Sequence, residues 1–97
     1  MARKKRGPRY PKEEYARMAQ EIYDVAVRPH LKPTDKGRFV SVDIETGEYE
    51  IDDSDYEATM RLWNRMPDPQ PFLFRVGYRS AHKMGGRMVP DAKWKSS

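Results

Sequence analysis

The chain has 97 residues, of which 37% are hydrophobic and 35% are charged, and it contains no cysteine. A chain of this length forms one small domain with a modest core. The lack of cysteine excludes disulfides, thiolate chemistry and cysteine-ligated zinc. No apolar run approaches the roughly 20 residues of a membrane span, and the basic start is not followed by the apolar segment of a secretory signal. We therefore expect a soluble, cytoplasmic protein.

The net charge of +4 is unevenly distributed along the chain. Residues 1–12 carry six basic side chains and no acidic one, whereas residues 13–78 carry eight basic and fourteen acidic side chains. This distribution predicts a basic flexible arm over 1–10, a single domain over 11–79 and a basic, loosely ordered tail over 80–97. Such arms either contact a polyanion or an acidic surface, or serve only as solubilising ends.

The first predicted element is a helix over residues 11–27. Pro11 suits the first helical position, and the two glutamates that follow favour the positive end of the helix dipole. The helix should end before Pro29, because a residue that precedes proline resists the helical conformation. Apolar residues at three- and four-residue spacing predict one buried face, formed by Tyr15, Met18, Ala19, Ile22, Val25 and Ala26.

A β-hairpin is the second predicted element. If residues 46–47 form a two-residue turn, Ile44 lies opposite Tyr49 and Val42 lies opposite Ile51, all on one apolar face with Val40. The other face then carries the polar residues of both strands, which are Ser41, Asp43, Glu45, Glu48 and Glu50.

The acidic face of this hairpin needs a counterpart. In the predicted register Asp43 opposes Glu50 and Glu45 opposes Glu48, and like charges in such positions destabilise a hairpin. The offsetting charge is expected from a bound cation, from the basic tails, from a basic partner or from the arginines of the next strand, Arg75 and Arg79.

A second helix and a third strand complete the prediction. Ser54 and Glu57 fit a capping box at the start of a helix, and Pro67 stops that helix. Apolar residues then alternate with polar ones over 72–79, which predicts a strand. Tyr56, Met60 and Trp63 recur at helical spacing within the helix.

The order α-β-β-α-β predicts a small two-layer α+β domain. A helical connection lets the third strand pair antiparallel with the first, so we expect a mainly antiparallel three-stranded sheet of order 2-1-3. We expect both helices to cover the one apolar face. The sheet has an open edge, so a homodimer formed by edge pairing is a further expectation.

The Asp43-x-Glu45 pair resembles the first metal-binding motif of proofreading-type 3′–5′ exonucleases. Its spacing directs both carboxylates to one side of a strand, as metal ions bridging a phosphodiester require. That family needs further aspartates and a positioned histidine or tyrosine, but His30, His82 and Asp91 do not supply this grouping. We predict no catalytic residue, metal site or cofactor, and metal-dependent 3′–5′ exonuclease-like activity is the least favoured hypothesis.

Three segments together resemble a set of short bacterial proteins of no established activity. These segments are 36–53, Arg75-Val-Gly-Tyr-Arg79 and Gly85-Gly-Arg-Met88. In those proteins a Gly-Lys-Phe/Tyr-Val strand continues into Asp-Ile/Val-Glu-Thr-Gly-Asp/Glu-Tyr-Glu-Ile-Asp, and a helix and an Arg-Val-Gly strand follow. The likeness covers about residues 14–88. It implies the small partner in a two-gene, toxin–antitoxin-like arrangement, often beside an aspartic protease-like protein.

The leading hypothesis is a non-enzymatic, antitoxin-like protein-interaction module. A tryptophan in a polar tail is typical of a contact residue. The predicted partner-binding residues are Asp43, Glu45, Glu48, Glu50, Arg75, Arg79 and Trp94. The alternative is a nucleic-acid-binding protein that uses its basic arms, with Arg3, Lys4, Lys5, Arg6, Arg9, Lys83 and Arg87 as contact residues.

Overall fold

The computed structural model describes residues 10–78. The elements in chain order are helix α1 (Lys12–Ile22), strand β1 (Phe39–Asp43), strand β2 (Tyr49–Asp52), helix α2 (Asp55–Arg65) and strand β3 (Pro71–Arg75). The strands form one antiparallel sheet of order β2-β1-β3. The predicted α+β class, order of elements and order of strands are confirmed. No helix of the described part is long and apolar enough to cross a membrane.

Helix α1 continues into one π-helical turn, Tyr23–Val27, and a short 3₁₀ turn follows. The π-helical turn ends at Val27, which is the predicted last residue of the helix, but Arg28 keeps helical backbone angles and Pro29 lies inside the 3₁₀ turn Arg28–His30. The predicted buried face is wrong at Val25, which is 72% exposed. The buried side chains of this segment are Ala16, Ala19, Tyr23 and Val27. They recur at three- and four-residue spacing, so Val25 falls on the opposite side of the helix.

One face of the sheet packs on α1 and its π turn. Val40 and Val42 of β1 are fully buried, and the ring of Tyr23 stacks on Phe74 with 4.3 Å between the centroids. Aromatic stacking adds to the burial of apolar area. The main core cluster contains Ala19, Tyr23, Val27, Leu31, Val40, Val42, Ile44, Phe74 and Val76.

The predicted hairpin register is wrong by two residues. Val42 pairs with Tyr49 and Val40 pairs with Ile51, because the turn spans four residues, 44–47, instead of two. A shift of two residues leaves every side chain on its predicted face, since the side-chain period of a strand is two.

The placement of both helices on the apolar face is also wrong, because α2 lies on the opposite face. The Thr59 hydroxyl of α2 donates to Ser41 Oγ at 3.2 Å, and Ser41 points away from the α1 side of β1. The side chain of Leu62 is fully buried. The domain therefore has three layers, with the sheet between α1 and α2. The helix covers the polar face of the hairpin with a small side chain, a hydroxyl group and two guanidinium groups, which belong to Ala58, Thr59, Arg61 and Arg65.

The start of α2 follows the sequence prediction, but its buried side differs from the apolar spacing. Ser54 Oγ accepts a hydrogen bond from the Glu57 N–H at 3.3 Å, which confirms the N-cap, but the capping box is not completed, because the Ser54 N–H donates to Asp52 instead of Glu57. Ala58 and Leu62 are the buried residues of α2, whereas Tyr56 is 65% exposed. Ala58 and Leu62 form a narrow buried stripe along which α2 packs on the sheet.

Replacing Leu62 with alanine should lower the free energy of unfolding by about 2–5 kcal/mol, because the substitution leaves a cavity in a fully buried site. The matched control on the same helix is Tyr56→Ala, which should change stability by less than about 0.5 kcal/mol. Urea unfolding followed by circular dichroism measures both. Equal effects of the two substitutions would contradict the packing of α2 against the sheet.

Candidate functional site

Two arginines of α2 neutralise an acidic row at β2, which consists of Glu48, just before the strand, and Glu50 and Asp52 within it. Arg65 Nη1 lies 2.8 Å from Glu48 Oε1, and its Nε lies 2.7 Å from Glu50 Oε2. Arg61 Nε lies 3.2 Å from the other oxygen of Glu50, and its Nη2 forms an ion pair with Asp52. The counterpart that the sequence analysis sought outside the hairpin is therefore supplied by the next helix of the same chain.

These ion pairs shift the pKa values of the groups that form them. The hydrogen bond from Arg61, together with the Ser54 N–H, lowers the pKa of Asp52. Asp52 in turn raises the pKa of Arg61, and Glu48 and Glu50 raise the pKa of Arg65. The two arginine side chains are 44% and 41% exposed, so solvent screens the pairs. The network orients α2 more than it stabilises the fold.

The same arginines cover the outer edge of β2. Arg61 Nη2 donates to the Ile51 carbonyl at 3.1 Å, and Arg65 Nη2 donates to the Tyr49 carbonyl at 3.2 Å. Because the Asp43 N–H donates to the Glu48 carbonyl at 2.8 Å, the backbone groups of Tyr49 and Ile51 point away from β1. Both outward carbonyls of β2 are therefore engaged by arginines, whereas the outward N–H groups of Tyr49 and Ile51 receive no partner from residues 10–78.

Asp43 is a buried anchor of the hairpin loop. Asp43 is only 1% exposed. One carboxylate oxygen accepts the Gln70 N–H at 2.7 Å. The other accepts the Thr46 N–H at 3.0 Å and the Thr46 hydroxyl at 2.6 Å. These bonds connect the loop to the residue before β3, so the carboxylate is engaged inside the chain instead of facing a partner.

Glu45 and Arg75, two further predicted contact residues, lie apart from the acidic row. Glu45 is exposed and accepts a hydrogen bond from the Tyr10 hydroxyl at 3.3 Å. Arg75 Nε donates to the Gly37 carbonyl at 3.1 Å, and its guanidinium lies 4.3 Å from the centre of the Tyr78 ring. Within residues 10–78 Arg75 forms no ion pair, so it does not offset the carboxylates as predicted.

The other predicted contact residues fall outside the described part of the chain. These residues are Arg79 and Trp94 of the partner-binding set and all of the nucleic-acid-binding set, Arg3, Lys4, Lys5, Arg6, Arg9, Lys83 and Arg87. Among residues 10–78, no group of three or more histidine, aspartate or glutamate side chains is arranged to hold a metal ion.

The outer edge of β3 differs from that of β2. The Ile44 N–H donates to the Gln70 carbonyl at 3.1 Å, and the Val76 N–H donates to the Arg38 carbonyl at 2.7 Å. Residues 70, 72, 74 and 76 therefore point their backbone groups toward β1. By alternation, the backbone groups of Pro71, Leu73 and Arg75 point outward.

Some of these outward groups are already engaged. Pro71 has no N–H, and its carbonyl accepts the Tyr15 hydroxyl at 2.9 Å. The Arg75 carbonyl accepts the Tyr78 N–H at 3.0 Å. The Leu73 N–H, the Leu73 carbonyl and the Arg75 N–H receive no partner from residues 10–78. In the described part of the sheet, the β2 edge thus has both outward carbonyls engaged by arginines, whereas the β3 edge has three available groups that include a donor and an acceptor of Leu73.

Comparison with known proteins gave no match among protein-family models, curated proteins or solved structures. The resemblance to short bacterial proteins stays a prediction.

Arg61 and Arg65 are the site residues that the sequence analysis missed. They stand four residues apart, so they share one face of α2. The helix begins soon after an acidic strand, with only Asp53 and Ser54 between the two elements. An i, i+4 pair of arginines directly after a run of carboxylates is the signal that predicts this pairing.

The substitution Asp43→Asn should lower the free energy of unfolding by about 1–3 kcal/mol, because an amide has one oxygen and leaves at least one buried donor without an acceptor. The control Glu45→Gln changes an exposed residue of the same loop and should cost less than about 0.5 kcal/mol. Chemical unfolding of the three proteins tests this. A catalytic role for Asp43 instead predicts unchanged stability with loss of a magnesium- or manganese-dependent nuclease activity.

The substitution Arg61→Gln should destabilise the protein at neutral pH and have a smaller effect in acid. The folded-state pKa of Asp52 is lowered, so the stabilisation is present above its unfolded value near 3.8. It is lost as the pH falls through the lower folded value. Unfolding at pH 7 and at about pH 2 measures the difference. Arg17→Gln, which disrupts the exposed pair with Glu14, is the control, and an equal pH dependence there would contradict the prediction.

Proposed function

We propose that this chain is a non-enzymatic protein-interaction module that receives a partner strand along the outer edge of β3. The observation that carries the proposal is the difference between the two edges of the sheet. Arginines occupy the outward carbonyls of β2, whereas Leu73 in the middle of β3 has no hydrogen-bonding partner on its outer side among the described residues. An unpaired strand edge is a template for another strand.

The side chains beside this edge suit strand addition. Main-chain hydrogen bonds supply affinity in this mode of recognition, and alternate side chains supply specificity. Phe72 and Leu73 are each partly exposed and lie on opposite faces of β3. A bound strand would cover apolar area on both faces of the sheet while it pairs with Leu73.

The proposal moves the interface away from the acidic hairpin face. Glu48 and Glu50 are paired with α2 and Asp43 is buried, so these carboxylates have little need for a basic partner.

Arg79 and Trp94 follow β3 in the chain and stay proposed contact residues. The antitoxin-like role, the cytoplasmic location and the absence of catalysis also belong to the proposal. The protein encoded by the neighbouring gene is the first candidate partner.

The substitution Leu73→Pro should weaken binding to that candidate partner by about 10-fold or more, because it removes an outward N–H and places a ring where the added strand would lie. It leaves the ladder with β1 intact, since that N–H does not point toward β1. The control Leu73→Ala keeps the N–H and should bind within about threefold of the wild type if backbone pairing dominates. Isothermal titration with the full chain measures both, and circular dichroism verifies folding.

Equal affinity of Leu73→Pro and the wild type for that product, with no change in self-association, would place the interface elsewhere and contradict the proposal. The same proteins are then mixed with single- and double-stranded DNA and RNA. Binding that falls steeply with salt and is lost on deletion of residues 1–9 would favour the nucleic-acid alternative.

A further inference from the structure

We infer that the strand received by β3 is β3 of a second copy of this chain, antiparallel and centred on Leu73. This inference rests on the proposed function and names its partner. It follows from the pattern of donors and acceptors along the outer edge, which is complementary to itself.

In a pair centred on Leu73, that residue faces Leu73 of the second copy, and Arg75 faces Pro71 of the second copy. The two Leu73 residues exchange both hydrogen bonds of a closely bonded antiparallel pair. Each Arg75 N–H faces a Pro71 carbonyl, which has a second lone pair beside the one that accepts the Tyr15 hydroxyl. Pro71 lacks an N–H, and it faces the Arg75 carbonyl that already accepts the Tyr78 N–H. No available donor or acceptor lacks a counterpart.

Registers shifted by two residues differ from this one. If Leu73 faces Pro71 of the second copy, the Leu73 carbonyl receives no donor, because proline has none. If Leu73 instead faces Arg75 of the second copy, the Leu73 N–H shares the Arg75 carbonyl with the Tyr78 N–H, as the Arg75 N–H shares the Pro71 carbonyl in the centred register. The hydrogen bonds therefore disfavour the first shift, and the side chains decide between the other two registers.

The side chains agree with the centred register. The two Leu73 side chains become neighbours on the α2 side of the joined sheet. On the α1 side, Phe72 lies opposite Phe74 of the second copy, and aromatic cross-strand pairs stabilise antiparallel sheets. Arg75 faces proline instead of a second arginine, so no like charges stand directly opposite each other.

Pairing through β3 stops at two copies. It gives a six-stranded sheet whose two outer strands are both β2. The outward carbonyls of each β2 are engaged by Arg61 and Arg65 of the same chain. A two-fold pair of this kind uses the same surface on both copies and is closed.

Single-cysteine variants of the full chain test this register, because the natural chain has no cysteine. In the centred pair the two Cα atoms of residue 73 lie about 5.5 Å apart, within the range for a disulfide. The Cα atoms of residue 75 lie about 14 Å apart, since they are offset by four residues along the strand as well as by the spacing between the strands. Under mild oxidation, Leu73→Cys should form a covalent dimer at least about 10-fold faster than the control Arg75→Cys. Sedimentation equilibrium of the wild type should show a dimer.

The substitution Leu73→Pro should raise the dimer dissociation constant by about 10-fold or more, since it removes two hydrogen bonds and introduces two rings into the pair, whereas Leu73→Ala should stay a dimer. Equal cross-linking of Leu73→Cys and Arg75→Cys, or a monomeric wild type, overturns the inference. A monomer that still binds the neighbouring-gene product through Leu73 leaves the proposed function standing. A monomer that binds that product with no effect of Leu73→Pro, or not at all, overturns both.

Discussion

The pairing of Arg61 and Arg65 with the acidic row of β2 is the interaction on which the layout of this domain depends. Without these arginines, Glu48 and Glu50 would repel each other along one strand. With them, the polar face of the hairpin accepts a helix, and the sheet lies between two layers. The individual pairs are solvent-exposed and weak. Their importance is positional, because they connect α2 to the acidic side of the hairpin, while Ala58 and Leu62 supply the buried contact of the helix.

The same two guanidinium groups also determine the properties of the sheet edges. Each guanidinium group donates to carboxylates and also to a backbone carbonyl of β2. A lysine ammonium does not reproduce this combination with the same geometry. The covered β2 edge and the acidic row are therefore one structural feature. A substitution made to alter the charge of the hairpin also alters how the edge meets other chains.

Sequence patterns predicted the parts of the fold that depend on local chemistry. Alternation of apolar residues placed Val40 and Val42 in the core, and Ser54 marked the start of α2. The hairpin register was missed because the Asp43 carboxylate, through long-range and loop contacts, selects a four-residue turn. The position of α2 was missed because periodicity shows which side of a helix is apolar but not which sheet face it meets. The exposed position of Val25 was missed because apolar residues such as Tyr15, Met18 and Ile22 flank the buried stripe, so apolar spacing alone does not locate the centre of that stripe.

The candidate site was harder to predict than the fold, because it consists of backbone groups. Whether the Leu73 N–H points outward depends on the parity of the hydrogen bonds between β1 and β3, and side-chain patterns do not reveal that parity. The elements that limit this edge are nevertheless visible as residue types. Pro71 removes a donor at one end, and the turn at Gly77 and Tyr78 occupies an acceptor at the other. Proteins protect edge strands from aggregation with such devices. Here they leave only a short central stretch available, and a short stretch with an uneven pattern of donors and acceptors discriminates between registers far better than a long uniform edge. The features that restrict unspecific pairing of β3 are thus the same features that a specific partner strand would have to match.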